Sequence, residues 1–132
     1  MTLVPLMNAS LLILIHTVVA ILVLVIGAAQ LSLAKGTPWH RQLGYAWVCL
    51  MVFVAISGFF IFDTQVVLPF SLLSNLLSAL LLVLLWRGIR LARTGKIKAH
   101  RQTMILLFWG TVFVGLLTIA PGRIMHEVLT GL

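Results

Sequence analysis

The sequence predicts an all-α fold: a bundle of four transmembrane helices arranged as two repeated helical hairpins. Three observations carry that prediction. Apolar residues make up 62% of the 132-residue chain and charged residues only 8%, against roughly 45–50% and about 25% in a soluble domain; mean hydropathy is +1.21. Four apolar runs are each long enough to cross a bilayer core of about 30 Å, which takes roughly 20 helical residues. The triplet His-Arg-Gln stands immediately before two of those runs, at 40–42 and again at 100–102.

The first run covers about residues 9–33 and is interrupted only by His16, Thr17, Gln30 and Ser32. It is too long for a signal-peptide core and no basic residue precedes it, so a retained helix is expected. The second run covers about 43–62. Thr37-Pro38 ahead of it combines an N-cap residue with a proline at the first helical position. The third run covers about 70–91. The fourth covers about 103–121, where Pro121-Gly122 ends or kinks it and turns Arg123 and His126 back over the mouth of the bundle. The whole chain, 1–132, reads as one membrane domain.

Charge sets the expected orientation. The loop after the first run holds Lys35 and Arg41, and the end of the third run with its loop holds Arg87, Arg90, Arg93, Lys96, Lys98 and Arg101. Eight cations thus lie on one side and only Arg123 on the other. The positive-inside rule places both basic loops in the cytoplasm, with both termini and the Asp63 loop outside, as a multi-pass protein of a bacterial cytoplasmic (inner) membrane. The same cations attract anionic lipid, by about 1 kcal/mol per Lys or Arg near the surface. The net charge of +7 does not indicate nucleic acid, because no soluble domain shapes a binding face. Cys49 is the single cysteine, which excludes an intramolecular disulfide and a Cys-x-x-Cys redox pair. No nucleophile with its base, phosphate-binding loop or carboxylate pair is present, and Asp63 and Glu127 read as solvated outer residues. Catalysis of the hydrolytic kind is not expected.

Aligning the triplets also matches Phe53 with Phe113 and Val54 with Val114. Both halves then read as helix, basic loop, triplet, helix, the pattern of a parallel repeat. His40 and His100 fall at related cytoplasmic ends of the second and fourth helices. In a four-helix bundle those helices are diagonal, so the two imidazoles can face each other across the axis. The positive end of the helix dipole favours the neutral imidazole, the form that binds metal or haem. The plainer alternative is that His and Arg snorkel to the interface, with Trp39 and Tyr45 as belt aromatics.

A second group of polar residues belongs to the outer side. His16 lies about seven residues into the first helix, on the order of 10 Å from its end. Ionisable groups at such depth usually face the bundle interior with a partner. Asn75 sits at similar depth on the third helix. Arg123 and His126, three residues apart and so on one helical face, follow the fourth. Histidines from different helices can ligate a haem iron, with an arginine pairing a propionate. The cofactor this set suits is haem b, and His16 with His126 can also hold a divalent metal. The plainer alternative is a buried hydrogen-bond cluster that fixes helix packing, assisted by Ser71, Ser74 and Ser78, and a substrate site is the third. Gly27-Ala28-Ala29, Ser57-Gly58 and Gly110 with Gly115 are expected to allow close helix approach. Trp47, Trp86 and Trp109 read as core or belt residues.

The stretches KGTPWHRQLGYAWVCLMVFVAISGFFI (Lys35–Ile61), LARTGKIKAHRQTM (Leu91–Met104) and PGRIMH (Pro121–His126), with GAAQL closing the first helix, resemble a bacterial family of four-helix membrane proteins of unknown function. The resemblance covers nearly everything from His16 to His126. It implies a four-helix inner-membrane protein with His16, His40, His100, Arg123 and His126 at family positions, and it implies no activity. Relatives usually carry a histidine near the start of the third helix where this chain has Asn75, which removes a donor from a three-histidine metal site but spares a two-histidine haem site.

Three functional expectations follow. One is a small cytochrome b-like bundle, or a helper in respiratory-complex assembly. Another is a non-catalytic accessory subunit of a larger membrane complex or a homo-oligomer. The third is a small proton-coupled transporter, since small multidrug-resistance transporters have similar length; those use a membrane-embedded carboxylate, and no span here contains one.

Overall fold

The computed structural model describes residues 10–61, 68–117 and 129–131, with backbone alone for 68–71. Four long helices account for nearly all of it: α1 (Leu11–Ser32), α2 (Pro38–Phe60), α3 (Leu68–Arg93) and α4 (Ile97–Leu117). α1 packs on α2 and α4, and α3 packs on the same two, so α1 faces α3 and α2 faces α4 across the bundle. The diagonal placement expected for the triplet-bearing helices is therefore the one observed.

The helices run beyond their apolar spans. α2 and α4 take in the whole His-Arg-Gln triplet as their first turns, because caps and not hydropathy decide where helical hydrogen bonding begins. Thr37 has extended backbone and its Oγ1 accepts the His40 N–H at 3.1 Å. Thr37→Ala should destabilise by about 1 kcal/mol, read as a lower thermal midpoint in detergent; Thr37→Ser should recover most of it. Thermal midpoints that are identical for the wild type and Thr37→Ala would show that the cap is idle.

Each hairpin closes through a glycine in the left-handed region, Gly36 at φ 79° and Gly95 at φ 74°, where a Cβ would be strained. Around Gly95 the Lys96 N–H bonds Leu91 O at 2.9 Å and the Gly95 N–H bonds Ala92 O at 3.2 Å, closing the α3 C-terminus as a Schellman turn. α1 is closed differently. Lys35 Nζ donates to the carbonyls of Gln30, Leu31 and Leu33 at 2.7–3.1 Å, placing a cation on the negative end of that helix.

The core is a narrow column of Val23, Trp47, Met51, Leu81, Leu85 and Leu107. Large apolar side chains elsewhere point outward on every helix, including Val25 at 62% exposure, Leu76 at 69% and Phe113 at 57%. Such a surface suits lipid and not water. α1, α2 and the α3 segment Leu72–Arg93 are each long and apolar enough to cross a membrane. The described part of α4 does not reach that standard, because its first two turns hold Lys98, His100, Arg101 and Gln102 and leave only Thr103–Leu117 apolar.

Glycine contacts correct one expectation. Gly27 and Gly58 sit at close approaches, but among the described residues nothing lies within 4 Å of a Cβ built on Gly110 or Gly115. Two further close approaches are at Gly44 of α2, under Gln30, and at Gly88 of α3, under Met104.

The repeat has a measurable register. Thr111 Oγ1 reaches Met51 Sδ at 3.6 Å across the axis, and these positions are sixty apart, as the triplets are. Between α1 and α3 the buried positions Val23 and Leu81, and Gly27 and Leu85, stand 58 apart. The second hairpin thus holds two more residues between its first buried face and its triplet.

Candidate functional site

Polar groups gather at two levels of the bundle: near the end carrying the two turns, and in the half away from them. In the second of these, His16 is half-buried on α1 and its Nδ1 lies 2.7 Å from Ser57 Oγ of α2. Ser57 is 4% exposed, and its hydroxyl donates to Phe53 O at 2.7 Å and Val54 O at 3.2 Å. With its one proton spent on its own helix, Ser57 Oγ accepts from His16 Nδ1–H. The neutral ring then carries its lone pair on Nε2. Gly58 and Ser78 complete this level: a Cβ on Gly58 would lie 3.1 Å from Ser78 Oγ and 4.0 Å from His16 Cε1. Helices α1, α2 and α3 therefore meet around the His16 ring, and the missing side chain at 58 is what lets them.

Asn75 is half-buried on α3, one turn from Ser78. Arg123 and His126, expected to close this group, lie outside the described residues. So do Asp63, Glu127 and Ser71 as a side chain. The sequence reading missed Ser57 as the histidine's partner by treating it as a small packing residue. His16, Val23 and Gln30 recur every seven positions on α1, a spacing that puts all three on one inward stripe.

At the turn end, His100 Nδ1 lies 2.8 Å from Gly88 O. A carbonyl only accepts, so His100 donates through Nδ1, and in the neutral ring Nε2 carries the lone pair. The missing side chain at Gly88 leaves its Cβ position to Met104, which brings α4 close to α3 at this level. Across the bundle, His40 lies within electrostatic reach of His100 and Lys35. Its backbone carbonyl accepts from Gln30 Nε2 at 2.6 Å. His40 Nδ1 and Gln30 Oε1 are buried and have no hydrogen-bond partner. Arg41, Arg87, Arg90, Arg93, Lys96, Lys98 and Arg101 are exposed around this end, and Arg90 stacks over the Trp86 ring at 5.2 Å from its centroid. Trp86 and Trp109 face outward, whereas Trp47 is core.

No group of three or more His, Cys, Asp or Glu side chains among the described residues can hold a metal ion. Residues 13–129 match the family model described as predicted membrane protein (DUF2306). The chain belongs to that family. The match starts in α1 and takes in all four helices of this DUF2306 member together with the segment that carries Arg123 and His126. Neither a curated protein nor a solved structure matches the chain. It is a helical membrane protein, from a family to which its description attaches no activity.

Proposed function

We propose that this DUF2306 member is a four-span bundle of the bacterial inner membrane that carries haem b, or failing that a metal, between helix-borne histidines. It serves electron transfer or respiratory-complex assembly. The observation supporting this reading is the shared state of His16 and His100: each commits Nδ1–H to a protein acceptor, Ser57 Oγ in one case and Gly88 O in the other. Ligating histidines ordinarily have their second nitrogen engaged in this way, which orients the ring and leaves Nε2 toward the iron or metal. His16 with His126 forms one ligand pair, with Arg123 on a propionate and Asn75 alongside. His40 with His100 forms the other.

Charge favours haem over a bare ion at the turn end. The described residues contain no acidic side chain, and eight cations from Lys35 to Arg101 belong to that end. A dication would add to this charge unopposed, whereas haem brings two propionates that pair with arginine and lysine. The same cations support a reading with the turn end in the cytoplasm against anionic lipid. α4 is the fourth span because it lies between α1 and α3, which both cross.

The test is an absorption spectrum with metal analysis of the protein purified in detergent. A Soret band is expected, weakened by His16→Ala or His126→Ala at one pair and by His100→Ala at the other. A folded preparation that is colourless and metal-free overturns the reading.

A further inference from the structure

The two unpartnered atoms at the turn end belong together. Gln30 Nε2 donates to His40 O, and since a carbonyl cannot donate, the amide nitrogen must face it. That fixes the orientation of the side chain and leaves Oε1 as a buried acceptor in need of a donor. The other buried atom without a partner is His40 Nδ1, which supplies a donor in one of its two tautomers. Each atom left unsatisfied costs about 1–3 kcal/mol, and one hydrogen-bonded link relieves both.

We propose that Gln30 is the positioning residue of His40: Oε1 accepts the hydrogen bond of Nδ1–H, after a small side-chain rotation or through one water that accepts from Nδ1–H and donates to Oε1, and Nε2 is thereby held unprotonated. The repeat supports this pairing independently. Gln30 and Gly88 stand 58 positions apart, the same interval as the buried pairs Val23 and Leu81, and Gly27 and Leu85. In each hairpin the first helix then offers one acceptor to the histidine in the first turn of the second. The α3 acceptor is the bare carbonyl of Gly88. The α1 acceptor is the Gln30 side-chain oxygen; the amide nitrogen beside it packs over Gly44, where a Cβ would come within 2.8 Å of Gln30 Nε2. All three described membrane-level histidines thereby share one tautomer. The link deepens the ligand role proposed above for His40, but the tautomer itself needs no cofactor.

The experiment is nitrogen NMR of histidine-labelled protein in detergent at a pH of about 8.5, well above the ordinary imidazole value of about 6.5. Ring-nitrogen shifts identify which atom carries the proton. His40 is expected in the Nδ1–H form in the wild type. Gln30→Leu, which removes both donor and acceptor, and Gln30→Lys, which keeps a donor for His40 O but has no acceptor, should both move it to the Nε2–H form or a mixture. A purely structural tether would survive Gln30→Lys with the tautomer unchanged, and that result overturns the proposal. So does an Nε2–H ring in the wild type, a measurement that stands even if neither variant folds. Absence of a Soret band with an Nδ1–H His40 defeats the cofactor reading alone; a Soret band with an Nε2–H His40 defeats this one alone.

Discussion

Trp47→Ala is expected to be the most damaging single substitution in the core, lowering stability by about 3–5 kcal/mol. Trp47 is 4% exposed and its Nε1 donates to Val23 O of α1 at 2.9 Å. Truncation removes the largest side chain of the core column and the one direct indole bond between α1 and α2. In lipid the loss is chiefly of packing contacts, since helix association there rests on close van der Waals fit more than on escape from water. Trp47→Phe keeps an aromatic ring and forfeits the donor, which should cost about 1 kcal/mol plus the smaller volume. Thermal unfolding in detergent should rank wild type, Phe, then Ala. Equal midpoints for wild type and Ala would mean the indole does not organise the core.

Gly27→Val should rival it from the opposite direction, by overfilling. A Cβ at 27 would lie 2.7 Å from Phe108 Cδ2 of α4 and 2.8 Å from Trp47 Nε1 of α2. Both neighbours are stiff rings, so relief requires moving α1 off two helices at once. The glycine is also what brings the indole to Val23 O, one turn back on the same face. Overpacking of this kind typically costs about 1–3 kcal/mol, and displacing the indole bond adds about 1 kcal/mol. Gly110→Ala serves as the contrast: with nothing within 4 Å among the described residues, it should be neutral or gain from better helix propensity. A Gly27→Val protein as stable as Gly110→Ala would contradict the packing described.

These two glycines show where sequence stops being informative. Both belong to small-residue patterns, and the pattern records only that a side chain is missing. Whether a ring fills the gap, as at Gly27, or nothing does, as at Gly110, depends on a different helix. Ser57 is the same case, since its role as the acceptor for His16 rests on how α1 lies against α2. Gln30 looked like an interruption in an apolar run, yet its seven-residue spacing from Val23 and His16 already placed it on the inward stripe.

What the sequence by itself determined is local and one-dimensional. It marked where the apolar runs lie, where the Thr37 cap stands, and on which side the cations accumulate. Those features follow from bonding and solvation between residues near in the chain, so their spacing suffices to read them. The tertiary structure decided which polar atoms meet. Nδ1 of His16 finds Ser57, Nδ1 of His100 finds Gly88 O, and Gln30 lies against His40. Hydrogen bonds need partners within about 3 Å, and only the crossing of four helices brings residues 41, 12 and 10 positions apart to that distance.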